Sequence, residues 1–481
     1  MSITGRNLVV AVLLVLVAAF YIATIRVGHQ WGDDFALYLH HARNLIDGKP
    51  YTDVGLIDNP LKIPDLGPPF YPPGFAWMAA PVLKAYGLNF TALKIEVILS
   101  FVAALWFCFL LFRDRLPYWW SVALIALIGF NPGFWRYRND IASDFPFLAV
   151  AYGGMWMIHT VYKRFKDQPP LWLALPFGAC LYLAYAVRPH GVAMLAAFVF
   201  YELQRARKIR PILAVTTMVT VAGVAAQFAI LGLDTRLRLF NLSPKWFVSS
   251  LIGNIRNYRA WWLTGYVPAL SYLLFGLVLV LTLYGLSLSI RSGVRVYDLF
   301  AILYMLVVIP YYLVFDRYLI PIVPVLLFYL LFGVYQIAKR MPATAGAVAA
   351  GLAAVLFSYG TIYAQADRGP ILEGTFDPDF VALCRYVEAN TAPGSRMIFR
   401  KPRLLTLITD RPSAIYHEPP EKSGLWDFMR SQAIAYVVVG DVPSPEFDSD
   451  RTYLRPFVAA YRDHFTSVYC NNHYELLRIT P

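Results

Sequence analysis

Thr91-Ala92-Leu93-Lys94-Ile95-Glu96-Val97-Ile98-Leu99-Ser100-Phe101-Val102-Ala103-Ala104-Leu105-Trp106-Phe107-Cys108-Phe109-Leu110-Leu111-Phe112 is one apolar run with its two ionisable residues confined to its first turns. A helix crossing a bilayer needs roughly 17–25 predominantly apolar residues, and this run supplies them. Further runs lie at 8–26, 118–134, 142–162, 171–187, 190–204, 211–232, 268–290, 297–315, 319–336 and 343–364. The sequence therefore predicts a mainly α polytopic membrane protein with about 11 to 13 spanning helices. The stretch 73–87 is broken by Pro81 and falls below spanning length, so it reads as an interfacial or re-entrant helix. Composition agrees: of 481 residues, 58% are hydrophobic and only 15% charged, against about a quarter charged in soluble domains. A mean hydropathy of +0.51 excludes a soluble enzyme. The 33 Pro and 30 Gly are scattered, which excludes a fibrous chain, and four Cys are too few for a disulfide scaffold.

The net charge of +12 reads as topology rather than as a nucleic-acid surface. With the N-terminus cytoplasmic, the inner loops hold Arg6, Arg113, Arg115, Lys163, Arg164, Lys166, Arg205, Arg207, Lys208, Arg210, Arg291, Arg295, Lys339 and Arg340. The acid-rich segment with Asp33, Asp34, Asp47, Asp53, Asp58 and Asp65 then lies outside. The first run lacks a small-residue cleavage site and reads as an uncleaved signal anchor. Three pieces outside are not spans: the loop 27–72, the basic and aromatic segment 233–267 (Arg236, Arg238, Lys245, Trp246, Arg256, Arg259, Trp261, Trp262), and the tail. The first two read as a catalytic loop and an amphipathic surface segment.

In the tail, helical patterns at Asp379–Asn390, Leu425–Ser431 and Leu454–Phe465 alternate with strand patterns at Met397–Arg400, Ile434–Val439, Thr466–Tyr469 and Tyr474–Ile479. The expected division is a membrane domain at 1–365 and a small extracytoplasmic α/β domain at 366–481. Cys384 and Cys470 lie in the latter, as a disulfide or as two buried thiols, while Cys108 and Cys180 read as packing residues within spans.

Ionisable groups at the ends of spans carry information because burying them is costly. One cluster follows the first run, Trp31-Gly32-Asp33-Asp34 with Tyr38 after it; Asp34 suits a helix N-cap, which leaves the second carboxylate unexplained. Another is Arg136-Tyr137-Arg138-Asn139-Asp140-Ile141-Ala142-Ser143-Asp144-Phe145-Pro146, where Asp140 and Asp144 share a face if helical and Ser143 or Asp144 suits a helix start. Arg188-Pro189-His190-Gly191 and Asp316-Arg317-Tyr318 complete the set; each is either a hydrated turn or part of a site, with Arg317 the most suggestive. The span centres are almost free of charge, which disfavours a flippase or transporter pathway. The pattern suits a site at the lipid–water interface. There arginines grip a phosphate and a carboxylate takes the proton of an acceptor hydroxyl.

These residues resemble the GT-C superfamily of integral membrane glycosyltransferases, the group containing protein O-mannosyltransferases and the lipid A aminoarabinose transferase. The matching elements are Asp33-Asp34 with Tyr38 and Ala42-Arg43, then Tyr71-Pro72-Pro73-Gly74, Asp144-Phe145-Pro146 and Arg317-Tyr318-Leu319-Ile320-Pro321, in that order, with an α/β tail. The resemblance implies inverting transfer of a sugar from a polyprenyl-phosphate carrier to a glycan, lipid or protein acceptor outside the inner membrane. It makes Asp33 the base, Asp34 its acidic neighbour and Asp144 the second acidic position, with Arg317 near the carrier phosphate. Tyr38, Lys62, Tyr71, Arg138, Asp140, Arg188, His190 and Tyr318 are the further substrate-binding candidates. Arg317, Arg188, Arg138 or Lys62 can stabilise the leaving phosphate without a metal, or Asp33 and Asp144 can hold a divalent cation, Mg or Mn. Where the aminoarabinose branch often has a lysine before the Pro pair, this chain has Tyr71. The tail carries no recognisable catalytic set. A lipid-linked-sugar flippase and a non-catalytic scaffold are the rival readings.

Overall fold

The computed structural model describes residues 3–59, 70–231, 240–261, 268–311, 313–341, 343, 345–417 and 422–480. Lys62, Arg236, Arg238 and Trp262 lie outside these residues. The chain begins with α1 (Ile3–Ala23), α2 (Asp34–Asp47), β1 (Leu56–Ile57), α3 (Pro73–Tyr86), α4 (Phe90–Phe112), α5 (Tyr118–Gly129), α6 (Pro132–Trp135) and α7 (Asp144–Arg164). It continues through α8 (Ala174–Val187), α9 (Val192–Ala206), α10 (Pro211–Leu231), α11 (Pro244–Ala260), α12 (Pro268–Arg291), α13 (Val296–Val308), α14 (Val323–Arg340) and α15 (Ala345–Ala364).

Each of the eleven apolar runs contains a helix, and the stretch 73–87 forms the separate helix α3. Among the described residues α4, α10, α14 and Tyr272–Arg291 of α12 are long and apolar enough to cross a membrane. Others are cut short by their own sequence. Asn131, whose side chain accepts from the Gly133 amide, and Pro132 split the run 118–134 into α5 and α6. The last residues of the run 297–315 stay outside α13, which stops short of Pro310. The bundle is tied by aromatic contacts such as Phe112 stacked on Phe328 at 4.5 Å and Phe101 on Phe145 at 4.5 Å. Where α12 crosses α14, a Cβ on Gly285 would lie 1.8 Å from the Tyr329 carbonyl, so glycine sets the approach of the two backbones. Helix α11 is inverted for a water-facing helix: Phe247, Val248, Leu251, Ile252 and Ile255 are exposed while Ser250 and Asn254 are buried. That pattern suits a lipid-facing surface.

The tail contains α16 (Pro378–Asn390), β2 (Arg396–Ile398), α17 (Pro402–Thr409), β3 (Ser413–Ala414), α18 (Lys422–Ser431), β4 (Ile434–Gly440), α19 (Arg455–Ala460), β5 (Phe465–Cys470) and β6 (Tyr474–Ile479). Its sheet runs β1-β3-β2-β4-β6-β5, parallel from β1 to β4 and antiparallel through β6 and β5. The edge strand β1 comes from the loop after α2, with Leu56 opposite Ser413. Helix α17 and β3 have no counterpart in the sequence reading, and the single helix expected at 454–465 is a π turn, α19 and a 3-10 turn. All four cysteines are free; Cys384 and Cys470 form no disulfide, and of the two only Cys384 is a buried thiol while Cys470 is exposed.

The segment before α2 is stitched to the tail. The amides of Ile371 and Thr375 donate to the carbonyls of Val27 and His29, each at 2.8 Å, and Gln30 bridges Gly374. Gly374 has φ +149°, and a Cβ there would fall 2.0 Å from the His29 oxygen. Only glycine fits this stitch.

Candidate active site

Asp33 and Asp34 open α2. Asp33 is the N-cap residue but makes no capping bond with its side chain, and Asp34 is the first helical residue rather than the cap expected of it. Both carboxylates are thereby released to face other elements, and the positive end of the helix dipole favours them there. Tyr71 reaches back from the start of α3 and donates its hydroxyl to Asp34 Oδ1 at 2.6 Å. Arg317, in the 3-10 turn Asp316–Leu319, donates to Asp34 Oδ2 at 2.9 Å. Arg403, at the start of α17, lies between the two acids: its Nε is 3.7 Å from Asp33 Oδ2 and a terminal nitrogen 3.4 Å from Asp34 Oδ1. The Leu404 amide donates to Asp33 Oδ1 at 3.3 Å. Five side chains from four separated stretches therefore meet on the first turn of α2.

Their environments differ. Burial tends to raise the Asp34 carboxyl, but Arg317 and Arg403 outweigh it and hold the group below its ordinary range. For Asp33 burial dominates, with Arg403 and Lys401 opposing and Asp34 reinforcing, and its carboxyl is raised. Two adjacent acids are thus pushed apart, the Asp34 carboxyl lowered and the Asp33 carboxyl raised. Asp33 keeps 22% of its side-chain surface accessible and Asp34 31%. Arg317 uses one nitrogen on Asp34, while its Nε has no hydrogen-bond partner among the described residues.

A second layer carries Asp144. Ser143 and Asp144 do begin α7, as expected. Asp144 is ion-paired with Arg188, both side chains less than 10% exposed. Asp140, by contrast, lies in extended backbone after the 3-10 turn Arg136–Asn139, so it shares no helical face with Asp144. Tyr38 joins the layers: its hydroxyl is 3.1 Å from Ser143 Oγ and its ring stacks on Tyr71 at 4.5 Å. Tyr318 lies under both arginines, 5.6 Å from the Arg188 and 5.8 Å from the Arg317 guanidinium carbon.

Other expected residues point elsewhere. Arg138 donates to the Thr24 carbonyl at 2.7 Å and packs over Trp135, at the C-terminal end of α1. His190 is buried among the rings of Tyr304, Tyr311 and Tyr318, where burial and then Arg188 lower its pKa to about 3, leaving it neutral. Asp140 accepts from Gln30 at 3.3 Å and is pushed up to about 7, first by burial and then by Asp144. Asp33 and Asp144 each face an arginine, which does not fit a shared cation. Among the described residues one His/carboxylate trio, Asp377, Asp379 and His473, brings its ligand atoms within 4.8 Å of one another.

Arg403 is the site residue that sequence reasoning missed. Its only signal is a basic pair, Lys401 and Arg403, just after a strand pattern, and nothing local says that this turn lands on α2. His41 was missed as support. Its Nε2 accepts from the Tyr71 amide at 3.3 Å, so its Nδ1–H donates to the Tyr51 carbonyl at 2.8 Å.

No protein-family model and no curated protein sequence matches this chain. Solved structures do. ArnT from Cupriavidus metallidurans bound to undecaprenyl phosphate superposes with a TM-score of 0.55 at 14% identity, covering 99% of this chain and 98% of that one. The archaeal oligosaccharyltransferase AglB from Archaeoglobus fulgidus, in complex with an inhibitory peptide and a dolichol-phosphate, gives 0.60 at 10% identity over 96% of this chain and 72% of that one. The oligosaccharyltransferase of the same organism in complex with Zn and sulfate gives 0.58 at 12% over 95% and 71%. The chain has the GT-C fold. Over nearly its whole length it is similar in architecture to these membrane enzymes, and the GT-C arrangement accounts for a mainly helical membrane domain carrying a small α/β unit. At these identities the GT-C likeness concerns the fold, and the chemistry has to be argued from the site.

Proposed function

We propose that this protein is an inverting glycosyltransferase of the inner membrane. It takes a sugar from a polyprenyl-phosphate donor and passes it to an acceptor hydroxyl on the extracytoplasmic face, with the unit 366–481 on that side. The observation that carries the reading is the placement of Arg403 between Asp33 and Asp34, with Arg317 and Tyr71 on Asp34 alone. Such an arrangement separates a base from a fixed anion. Asp33, raised and partly accessible, removes the acceptor proton. Asp34 stays ionised and orients Arg317, whose side chain keeps 33% of its surface exposed toward a leaving phosphate. Asp144, buried against Arg188, fixes the second layer rather than binding substrate. Because both acids face arginines, no step is routed through a metal; the trio Asp377, Asp379 and His473 is where a cation would find ligands in the tail. The fold of proteins solved with undecaprenyl phosphate and dolichol-phosphate supports a carrier of that class.

The test is release of sugar from a panel of polyprenyl-phosphate sugars by the purified protein in nanodiscs, beside Asp33→Asn. Turnover that disappears in the variant, with donor binding kept, is the expected result. No turnover with any donor, even with membrane extract as acceptor, removes the enzyme reading; turnover that survives moves the base to Asp34.

A further inference from the structure

A cavity of about 480 Å³ opens outside the α1 end, beside the carboxylate site rather than in it. Small-molecule sites span roughly 300–1,000 Å³, so it has room for a sugar residue or two. Two of its wall residues lie within electrostatic reach of the site, Asp140 with Asp144 and Arg317, and Tyr137 with Asp144. Gln30 lies just upstream of Asp33, Asp140 lies one short step before Asp144, and Asp316 is the chain neighbour of the arginine that holds Asp34. We propose that this cavity receives the acceptor, and that the acceptor presents a carbohydrate hydroxyl. The inference rests on the transferase reading and narrows its acceptor to a glycan.

The chemistry of the walls selects the class. Arg136 is ion-paired with Asp316, Tyr137 donates its hydroxyl to Asp316 at 2.9 Å, and Gln30 donates to Asp140 at 3.3 Å. An acyl chain seated here would desolvate these groups without offering them a partner. A peptide that binds by strand addition needs a sheet edge, and the walls at Arg136–Asn139 and Asp316 are 3-10 turns. Sugar hydroxyls both donate and accept, and so extend the existing pairs. In the transfer, the acceptor oxygen bonds to the anomeric carbon as that carbon's bond to the carrier-phosphate oxygen breaks. The bonding pair leaves with the phosphate, and the hydroxyl proton passes to the Asp33 carboxylate.

The experiment uses the full chain in glycoside-free nanodiscs. Saturation-transfer NMR is recorded with methyl glycosides of common hexoses and pentoses at millimolar concentration, for the native protein, for Ala366→Trp, which fills the cavity, and for Arg136→Met, which removes a wall donor. In parallel, transfer to any sugar that binds is compared with hydrolysis of the donor by water. The expected result is binding by at least one glycoside, weakened tenfold or more in both variants, with the ratio of transfer to hydrolysis falling by a similar factor. Binding that is equal in all three proteins, or no binding by any glycoside, overturns the proposal. A native protein that binds sugar through Arg136 yet cleaves no donor keeps the cavity assignment and removes the transferase reading instead.

Discussion

Replacing Arg403 by glutamine tests whether the tail tunes Asp33, the proposed base. The side chain is 4% exposed and faces Asp33 at 3.7 Å and Asp34 at 3.4 Å. These distances exceed the 2.7–2.9 Å of a strong charge-assisted hydrogen bond. An ion pair near 4 Å is worth about 4 kcal/mol at an effective dielectric of 20. Asp33 is 22% exposed, so solvent screening reduces the useful part to about 1.5 kcal/mol. About 1.36 kcal/mol corresponds to one pH unit. In the native protein Arg403 opposes the burial that raises Asp33. Without it, burial and Asp34 act together, and the carboxyl is raised further. A base works only when ionised, so the acidic limb of the kcat/KM profile for donor cleavage moves up by about one pH unit. At high pH, where Asp33 is ionised in both proteins, the rates converge to within a few-fold. Arg403→Lys, which keeps a cation, returns most of the shift. A limb that stays in place while the rate falls equally at every pH refutes the idea that Arg403 acts through Asp33.

Removing one member of the buried Asp144–Arg188 pair leaves the other uncompensated, so Arg188→Met lowers stability by about 3–5 kcal/mol. The double variant with Asp144→Leu regains most of it in thermal unfolding, and a single variant as stable as native shows the pair to be inert. Gly374→Ala pushes the stitched segment off the tail, so hydrogen exchange at 27–31 and 371–375 speeds up at least tenfold while the α12–α14 amides stay protected; uniform exchange in the two proteins contradicts this. His29, His41 and His190 are held near a pKa of about 3 and His40 near about 4, chiefly by burial. Below about 6.5 the unfolded chain binds protons that the folded chain refuses, so stability is lost as pH falls from about 6.5 toward 4, by up to about 1.4 kcal/mol per unit for each histidine. A melting temperature flat from pH 7 to 4.5 contradicts the buried neutral imidazoles.

Membrane character and the helical runs were legible because hydrophobic patterning is a local property: a run such as Thr91–Phe112 needs no knowledge of its neighbours to be apolar and long. The acidic pair was legible for a related reason, since two adjacent carboxylates beside a span are costly wherever the chain goes. Their roles were not. The sequence reading of Asp34 as a cap failed because the N-cap position fell to Asp33, and Tyr71, Arg317 and Arg403 claimed the Asp34 carboxylate instead. Asp140 and Asp144 parted because the chain is extended at Asp140 and turns helical only at Asp144. Arg403 stayed invisible because its importance depends on β1 leaving the loop after α2 to join the tail's sheet, which brings α17 onto α2 across most of the chain length. The sequence by itself determined a membrane bundle with acids and arginines gathered at the ends of its helical runs. Tertiary structure alone decided which acid is held ionised and which is raised, because a carboxyl's ionisation depends on the charges and solvent within a few ångströms, and those come from residues distant in the chain.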